Sequence, residues 1–166
     1  MWLLVRGVLE IGVGAVLLWL AGVWGLVQSL KNRLLAMLHI GFFWLGLSFV
    51  LGGISQFLTL FFESPHMGLG ALHALTMGCL GSLMLAMVTR VSCGHSGRAL
   101  VADRIAWSLF WVLQVATVLR IAAAFPTGQE QRLLVTASLL WAGCMAVWGV
   151  RLGAWYGRLR ADGRPG

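Results

Sequence analysis

Five long apolar segments, separated by short polar stretches, dominate the pattern of hydrophobic and polar positions along the chain. They cover about residues 7–27, 34–60, 67–88, 105–125 and 133–155. Each is close to the ~20 residues that a helix needs to cross the hydrocarbon layer of a membrane. Strands with open edges would leave backbone groups unpaired in lipid, so helices are expected. The pattern predicts an all-α integral membrane bundle of about five transmembrane helices, in one domain over residues 1–166.

The composition places these helices in lipid rather than in water. Hydrophobic residues make up 60% of the chain and charged residues 10%, whereas a soluble domain carries about 25% charged residues. The lipid bilayer is therefore the expected partner. The net charge of +7 does not point to nucleic acid, because the arginines fall at the ends of apolar segments, where they suit anionic lipid.

Lysine and arginine are distributed unevenly between the two sides of the predicted bundle. Linkers 28–33 and 89–104 and the tail after residue 155 carry eight of them, whereas the chain start and linkers 61–66 and 126–132 carry only two. Basic residues beside membrane helices stay preferentially in the cytoplasm. The bias predicts an amino end outside and a carboxyl end in the cytoplasm (N-out/C-in), which suits the last part of a longer membrane protein.

Two stripes of small residues predict which helices pack together. In the third apolar segment a small residue recurs at every fourth position, at Gly70, Ala74, Gly78 and Ser82. The second segment carries a similar stripe, at Ser48, Gly52, Ser55 and Thr59. Small side chains allow close approach of helices in lipid, so we expect the second and third helices to pack against each other. Ser64 and Pro65 suit the N-cap and first position of the third helix.

His73 is the strongest candidate for chemistry. If the third helix starts near Pro65, His73 lies roughly 12 Å along it, inside the outer half of the membrane. Ionisable rings at that depth face the bundle interior or a cavity and mark functional sites by default. The alternative is a histidine that is hydrogen-bonded to a neighbouring helix. His66 shares its face but is ~10 Å away, too far for both to bind one ion, and is expected in a solvated first turn.

Two further histidines are predicted near the cytoplasmic side. His39 is close to that end of the second helix, where a neutral imidazole could ligate haem iron or copper; an interfacial side chain with a wet tip is the alternative. His95 belongs to the polar stretch SCGHSGR. It could hold an anion together with Arg98 or a metal together with Cys93, or it could simply belong to a structured turn between helices three and four.

Arg120 gives the fourth helix a charged group near its outer end. Together with Gln114 and Thr117 it forms a polar face at three-residue steps. The arginine either extends its head group to the membrane surface or pairs with a carboxylate, such as Glu63 or a haem propionate. Both alternatives remain open from the sequence.

Other polar and aromatic positions have simpler explanations. Glu10 lies one helical turn after Arg6, so the two are expected to pair. A stripe of tryptophans on the fifth helix could line a flat cofactor or contact lipid and other helices: Trp141, Trp148 and Trp155. Trp155 suits an interfacial aromatic belt. Methionines such as Met77 are expected to be packing material.

Motifs for other chemistry are absent from the sequence. Cys79, Cys93 and Cys144 form no C-x-x-C pair, so a redox dithiol or covalently attached haem is not expected, and Cys79 and Cys144 are predicted to pack in the apolar interior. There is no H-E-x-x-H, G-x-S-x-G or phosphate-loop motif. Whether the chain is an enzyme is left open by the sequence.

One stretch resembles a known family. HALTMGCLGSLMLAMVTRVSCGHSGRAL, residues 73–100, closely resembles the signature region of the NnrS family, multi-helix inner-membrane proteins associated with nitric oxide stress and described as containing haem and copper. LLAMLHIGFFWLGLSFVLGG, residues 34–53, is similar to the helix that precedes it, and the resemblance runs roughly over residues 25–166. The matching positions are His39, His73, Thr76, Thr89, Arg90, Gly94, His95, Gly97 and Arg98. The family usually has Leu at the position of Cys93, which is therefore not expected to be a ligand.

The resemblance implies cofactors and a location. Haem and copper are the implied cofactors, nitric oxide is a candidate ligand, and the bacterial inner membrane is the implied site. Combined with the residue arguments above, it assigns cofactor binding to His39, His73 and Arg120, and metal ligation to His39, His73 and His95. Which histidine holds which metal stays open.

The resemblance also has a gap. Family members carry further helices in an amino-terminal half with a histidine-rich WHAHEM-like block, which this sequence lacks. The chain thus resembles the carboxyl-terminal part alone. A second hypothesis is therefore a non-catalytic membrane subunit, or a truncated remnant, that docks with a separately encoded amino-terminal half. A transporter fragment is less favoured, because Pro65 and Pro126 lie at predicted helix edges rather than inside a span.

Overall fold

The structure is a computed structural model that describes residues 1–62, 67–126 and 128–163. These residues form helices and no strand. The elements in chain order are α1 (Trp2–Val23), α2 (Leu26–Ser29), α3 (Arg33–Phe62), α4 (Gly70–His73), a π-helix (Ala74–Leu80), α5 (Gly81–His95), α6 (Arg104–Ala122) and α7 (Glu130–Gly153). Five spans are long and apolar enough to cross a membrane, with α4, the π-helix and α5 together forming the third, Gly70–His95. The predicted all-α bundle with five spans is confirmed.

The third span differs from the prediction at its carboxyl end. The helix was expected to end near residue 88, but α5 continues to His95. The first half of the predicted loop 89–104 is therefore helical, and His95 is the last residue of α5. The extra turns are stabilised by packing, because Thr89, Ser92 and Cys93 are buried. The predicted start at Ser64 and Pro65 lies outside the described residues.

The other helix boundaries shift by a few residues. α1 begins at Trp2 rather than near residue 7. Arg6 and Glu10 therefore both lie inside the helix, and they pair as predicted, with Nε 2.8 Å from Oε1. α6 begins after Asp103, whose Oδ1 accepts a hydrogen bond from the Ala106 amide at 3.0 Å. An aspartate before an apolar segment is a standard N-cap signal, so the sequence already contained this boundary.

Glycines bring α1 and α3 into close contact. A Cβ atom added to Gly14 would lie 2.8 Å from the Gly46 carbonyl oxygen, and one added to Gly53 would lie 2.7 Å from the Gly7 carbonyl oxygen. Backbone-to-backbone approach of this kind is available only to the smallest residues. The α1–α3 pair therefore packs through glycine, a contact that was not predicted from the sequence.

The predicted packing between the second and third spans is present. The stripe on the third span is buried, at Gly70, Ala74, Gly78 and Ser82. Gly78 lies so close to the Trp44 ring that an added Cβ would be 2.6 Å from it, and Gly41 faces Ser82. On α3, however, the contact is made by Gly41 and Trp44. The stripe predicted for this role lines a pocket between α1 and the start of the third span, with Ser48, Gly52 and Ser55 among its lining residues. It faces the third span at Gly52, where an added Cβ would lie 3.9 Å from Ala71 Cβ.

A buried chain of polar side chains joins three spans. The indole Nε1 of Trp44 donates to Gln114 Oε1 at 2.6 Å, and Gln114 Nε2 donates to Ser82 Oγ at 3.0 Å. Because every one of these polar groups has a partner, the glutamine is tolerated in the apolar interior. It fixes the relative positions of α3, α5 and α6.

The basic linkers meet at one end of the bundle. Arg33 Nη1 donates to the Ala102 carbonyl at 3.3 Å, and the Ala161 amide donates to the Ser96 carbonyl at 2.9 Å. The region around 28–33, the α5–α6 loop and the segment after α7 therefore share one end, here called the basic end. Their grouping agrees with the charge pattern, and the N-out/C-in orientation stays a prediction.

Candidate functional site

His73 lies where the third span changes its helical geometry. It is the last residue of α4, and the π-helix Ala74–Leu80 follows directly. π-helical turns are rare, are less favourable than α-helical ones, and occur frequently at functional sites. The residues of the family resemblance, HALTMG, thus coincide with the one π-helix in the described chain. The amino-acid pattern does not predict this feature.

A backbone contact sets the tautomer of the His73 ring. Nδ1 lies 2.7 Å from the Leu69 carbonyl oxygen, one helical turn earlier. A carbonyl only accepts hydrogen bonds, so the contact selects the tautomer of the neutral ring in which Nδ1 carries the proton and Nε2 has the lone pair. This is the arrangement that commonly orients a metal-ligating histidine. The half-buried ring is therefore prepared to offer a single nitrogen ligand.

His73 and Arg120 line the same pocket. This His73 pocket has a volume of about 350 Å³ and is lined by His73, Met77, Arg120, Ala137, Ser138, Trp141 and Ala142. The third span supplies the imidazole and a thioether, α6 supplies the guanidinium, and α7 supplies an indole. The pocket brings together two of the three residues predicted to bind a cofactor, and it adds Met77 and Trp141.

The three polar residues predicted to share a face of α6 lie in two places: two are in the core and one is in this pocket. Gln114 belongs to the buried chain with Trp44, and Thr117 donates to the Leu113 carbonyl at 2.8 Å. Arg120 alone reaches the pocket. Among the described residues no carboxylate pairs with Arg120, and the predicted partner Glu63 lies outside them.

His39 is placed away from this pocket. Its Nδ1 lies 3.1 Å from the Leu35 carbonyl oxygen, and its Nε2 lies 3.3 Å from the Trp24 carbonyl oxygen. The ring thereby connects α3 to the end of α1. A neutral imidazole can donate through only one nitrogen, so a metal at the other would have to displace a contact with a carbonyl oxygen.

His95 lies at the basic end, in a third location. Its exposed ring lines a small cavity of about 110 Å³ together with Tyr156, Arg158 and Arg160. Within residues 1–62, 67–126 and 128–163, no group of three or more His, Cys, Asp or Glu side chains could hold a metal ion. The three histidines predicted as ligands therefore occupy separate places, and His66 falls outside the described residues.

Several positions of the family resemblance hold the end of α7 in place. Trp148 Nε1 donates to Thr89 Oγ1 at 3.0 Å, and the Arg98 guanidinium lies 4.5 Å from the centre of the Trp155 ring. Gly97 has φ of +69°, and a Cβ there would lie 2.6 Å from Asp162 Oδ1. Only glycine suits that backbone and that contact. The second half of the motif thus has a structural role that its amino-acid pattern does not indicate.

An ion pair completes the basic end. Arg151 Nη1 donates to Asp103 Oδ1 at 2.9 Å, and Arg151 Nη2 also contacts Asp103 Oδ2. The hydrogen bonds from Arg151 lower the pKa of the Asp103 carboxyl, although burial acts in the opposite direction. Asp103 therefore caps α6 and attaches it to α7 at the same time.

The fold and the site together define a class: a helical membrane protein with a candidate cofactor pocket made by a histidine and an arginine of neighbouring spans. The model of one family, described as NnrS protein, matches residues 1–160. The chain therefore belongs to the NnrS family. The match includes α1, upstream of the motifs on which the resemblance rests. No curated protein and no solved structure matches the chain.

Proposed function

We propose that this NnrS-family protein binds haem at the His73 pocket, with copper as a second cofactor, and that it acts in the response to nitric oxide in the bacterial inner membrane. The observation that supports haem most strongly is the pairing of a tautomer-fixed imidazole with a guanidinium in one pocket. Family membership supports the wider assignment.

The donor set fits haem better than a bare metal ion. The porphyrin supplies four nitrogen ligands itself, so the protein needs to add only one or two axial ligands. A closed copper or zinc site needs about three or four protein donors, and the described residues provide no such group. One imidazole with a nearby cation is therefore sufficient for haem and insufficient for a closed metal site.

Each residue of the pocket has a defined task in this proposal. His73 would ligate iron through Nε2, while the Leu69 carbonyl orients the ring and strengthens its donor character. Arg120 would bind a propionate through two parallel N–H···O contacts. Trp141 would pack against the flat macrocycle from α7. When bound, haem supplies an iron centre whose reactivity depends on its axial ligand and the polarity of the pocket.

His39 and His95 remain predicted copper ligands, with less support. Both nitrogens of His39 lie beside carbonyl oxygens. The surroundings of His95 include Arg158 and Arg160, and cations disfavour a nearby metal cation. Copper binding at either residue would require additional donors.

The visible spectrum of the purified chain tests the haem proposal. With haem supplied during expression, we expect a Soret band in the wild-type protein and in His39→Ala, and its loss in His73→Ala. Size-exclusion chromatography shows whether each variant folds. A wild-type protein without a Soret band, or a His73→Ala variant that retains it fully, would contradict the proposal. Spectral change on adding nitric oxide to the haem-loaded protein tests the physiological link.

A second candidate function is that of a membrane subunit that docks with an amino-terminal partner half. Outer faces of α1 and α7 are exposed over most of their length, and α7 carries glycines with open space beside them, at Gly143, Gly149 and Gly153. Small exposed residues favour helix association in lipid. Co-purification with a separately encoded partner, and its loss in Gly149→Leu, would support this function.

A further inference from the structure

The small cavity beside His95 at the basic end is lined by cationic and hydrogen-bonding side chains. This His95 cavity has a volume of about 110 Å³. Its polar lining residues are Ser92, His95, Ser96, Tyr156, Arg158 and Arg160. The volume corresponds to about four water molecules at ~30 Å³ each and lies below the range for drug-sized ligands. The cavity can therefore hold a small ion, or one small functional group of a larger molecule.

The charge of the cavity is positive. No acidic residue of the described chain lines it. The nearby carboxylate of Asp162 accepts from Arg160 at 3.0 Å and 2.7 Å, so those two charges offset each other. Arg158 is exposed and forms no ion pair or hydrogen bond within residues 1–62, 67–126 and 128–163. Its uncompensated charge attracts an anion and repels a metal cation.

Three side chains at the cavity have N–H groups that are free to contact an anion. The exposed His95 ring forms no hydrogen bond with any other residue that the structure describes, and even a neutral imidazole has one N–H to donate. Arg160 uses Nε and Nη2 for Asp162 and keeps the N–H groups of Nη1. Together with Arg158, these side chains can bind an anion without losing a contact inside the protein.

Contacts within the protein hold the segment 156–161 against the end of α5. The hydroxyl oxygens of Ser92 and Tyr156 are 2.8 Å apart, and the Ala161 amide donates to the Ser96 carbonyl at 2.9 Å. Between these contacts, Gly157 has φ of +75°, a backbone conformation that suits glycine. The segment is therefore attached at both of its ends, and a ligand does not have to order it on binding.

A terminal phosphate group matches the size, charge and donors of the cavity. A phosphomonoester carries a charge of about −1.5 to −2 at pH 7 and three terminal acceptor oxygens. Guanidinium groups bind such oxygens through parallel N–H···O contacts. A carboxylate offers only two oxygens and one charge, which is fewer acceptors than the three side chains can use.

We propose that the His95 cavity binds a terminal phosphate group, as inorganic phosphate or as a phosphomonoester. Arg158 and Arg160 donate to its oxygens from the segment after α7, and His95 donates from the end of α5. The proposal concerns binding only, and it does not depend on haem in the His73 pocket. A phosphate group in the cavity would compete with copper for His95.

Calorimetric titration of the full chain, in maltoside detergent and phosphate-free buffer, tests the proposal. The probes are inorganic phosphate and dihexanoyl phosphatidic acid, a soluble lipid with a phosphomonoester head group. Sodium chloride at the same ionic strength is the blank. We expect at least one probe to bind saturably, with one site per chain. If neither probe shows saturable binding, the proposal is wrong.

Variants locate the binding. Arg158→Gln, and independently His95→Ala, should each weaken binding by about tenfold, the loss typical of one charge-assisted hydrogen bond. Both side chains are exposed, so both variants are expected to fold. The matched control is Lys31→Gln, which removes one positive charge from the basic end outside the cavity. Equal weakening by Lys31→Gln and Arg158→Gln would indicate diffuse attraction and overturn the site, as would unchanged affinity in a folded Arg158→Gln or His95→Ala protein.

The probes also distinguish a lipid head group from a soluble phosphate compound. Tighter binding of phosphatidic acid than of inorganic phosphate, lost in Arg158→Gln, would support the site with a lipid as its occupant. Similar affinities for the two probes, both reduced in Arg158→Gln, would support the site with a soluble phosphate compound. Dihexanoyl phosphatidylglycerol has the same acyl chains but a phosphodiester, and should bind about tenfold more weakly than phosphatidic acid. Equal affinity for these two lipids would contradict recognition of a terminal phosphate.

Discussion

The contact between His73 Nδ1 and the Leu69 carbonyl at 2.7 Å determines which nitrogen of the ring is available for ligation. In His39 neither ring nitrogen is available in the same way, because a carbonyl oxygen lies beside each of them. At the scale of single residues, the two histidines that looked similar in the sequence differ in the backbone groups around them. The periodicity of a helix in the sequence does not predict which backbone carbonyls lie beside each ring.

Arg120 provides a prediction on the cofactor. Arg120→Gln removes the guanidinium from the His73 pocket and should weaken haem retention by about tenfold, since a charge-assisted pair with a propionate is lost. Retention is measured from the Soret absorbance per protein after dialysis against a haem scavenger. The matched control is Arg132→Gln, on the exposed start of α7. If both variants retain haem equally, Arg120 does not bind a propionate.

Asp103 provides a prediction on pH. Its folded-state pKa lies below the ordinary value of 3.8 because Arg151 hydrogen-bonds to the carboxylate. The pair therefore stabilises the fold fully above that value, and the contribution is lost as the pH falls through the lower folded-state pKa. Asp103→Asn should remove this part of the pH dependence while keeping the N-cap, because asparagine caps as well as aspartate.

The pH prediction is checked by the thermal unfolding midpoint in detergent. Wild type should unfold at a higher temperature than Asp103→Asn at about pH 6, and the difference should shrink at about pH 3. Because Asp103 is 45% exposed, screening by water keeps the effect small. A difference that grows on acidification would contradict the assignment.

At the scale of elements, helix contacts depended on side-chain size more than on hydrophobicity. The stripe on the third span was predicted correctly, since it is the face that packs on Trp44 and Gly41. The α1–α3 contact was missed because Gly7 and Gly14, like Gly46 and Gly53, are seven residues apart, so they do not form the four-residue stripe that indicated the other helix contact. The π-helix was missed because local propensity does not distinguish it from an α-helix.

Gly53 tests the α1–α3 interface. In Gly53→Ala the new Cβ would lie 2.5 Å from Ile11 Cγ1 and 2.7 Å from the Gly7 carbonyl oxygen. The backbone atom cannot move away as a side chain can, so α1 should separate, at a cost of about 1–3 kcal/mol. Gly143→Ala is the control, because nothing lies within 4 Å of its added Cβ. Equal unfolding midpoints for the two variants would show that the interface is not tight.

At the scale of the whole molecule, the basic end connects elements that are distant in sequence. Two guanidiniums contact the Trp155 ring, with Arg98 4.5 Å and Arg151 5.1 Å from its centre. Arg151 in turn binds Asp103. The α5–α6 loop, the start of α6 and the end of α7 are therefore held together by one aromatic ring and one ion pair.

Trp155→Ala should release the segment that follows α7. Each cation–π contact contributes about 0.5–1 kcal/mol at such a partly exposed position. We expect faster cleavage by trypsin at Arg158 and Arg160 than in wild type. Leu159→Ala is the control, because Leu159 is almost fully exposed. Cleavage rates that match in the two variants would mean that Trp155 does not hold the segment.

The membrane orientation is also a property of the whole molecule. If the basic end faces the cytoplasm, a fluorescent protein fused after residue 166 should fluoresce in bacteria. Alkaline phosphatase fused at the same position should be inactive, because it requires the periplasm. The reverse pair of results would show that the carboxyl end is outside.

Most of the fold followed from the sequence, because a transmembrane helix must satisfy its own backbone hydrogen bonds. Length and hydropathy therefore determined the five spans, and the charge pattern correctly grouped the linkers that meet at the basic end. Contacts between side chains of different spans were decided only by the tertiary structure. The pocket shared by His73 and Arg120 and the buried Trp44–Gln114–Ser82 chain each depend on rotation about helix axes. The packing of small residues against large ones sets that rotation. The apolar pattern of a lipid-facing helix does not predict it, because all sides of such a helix are similarly apolar.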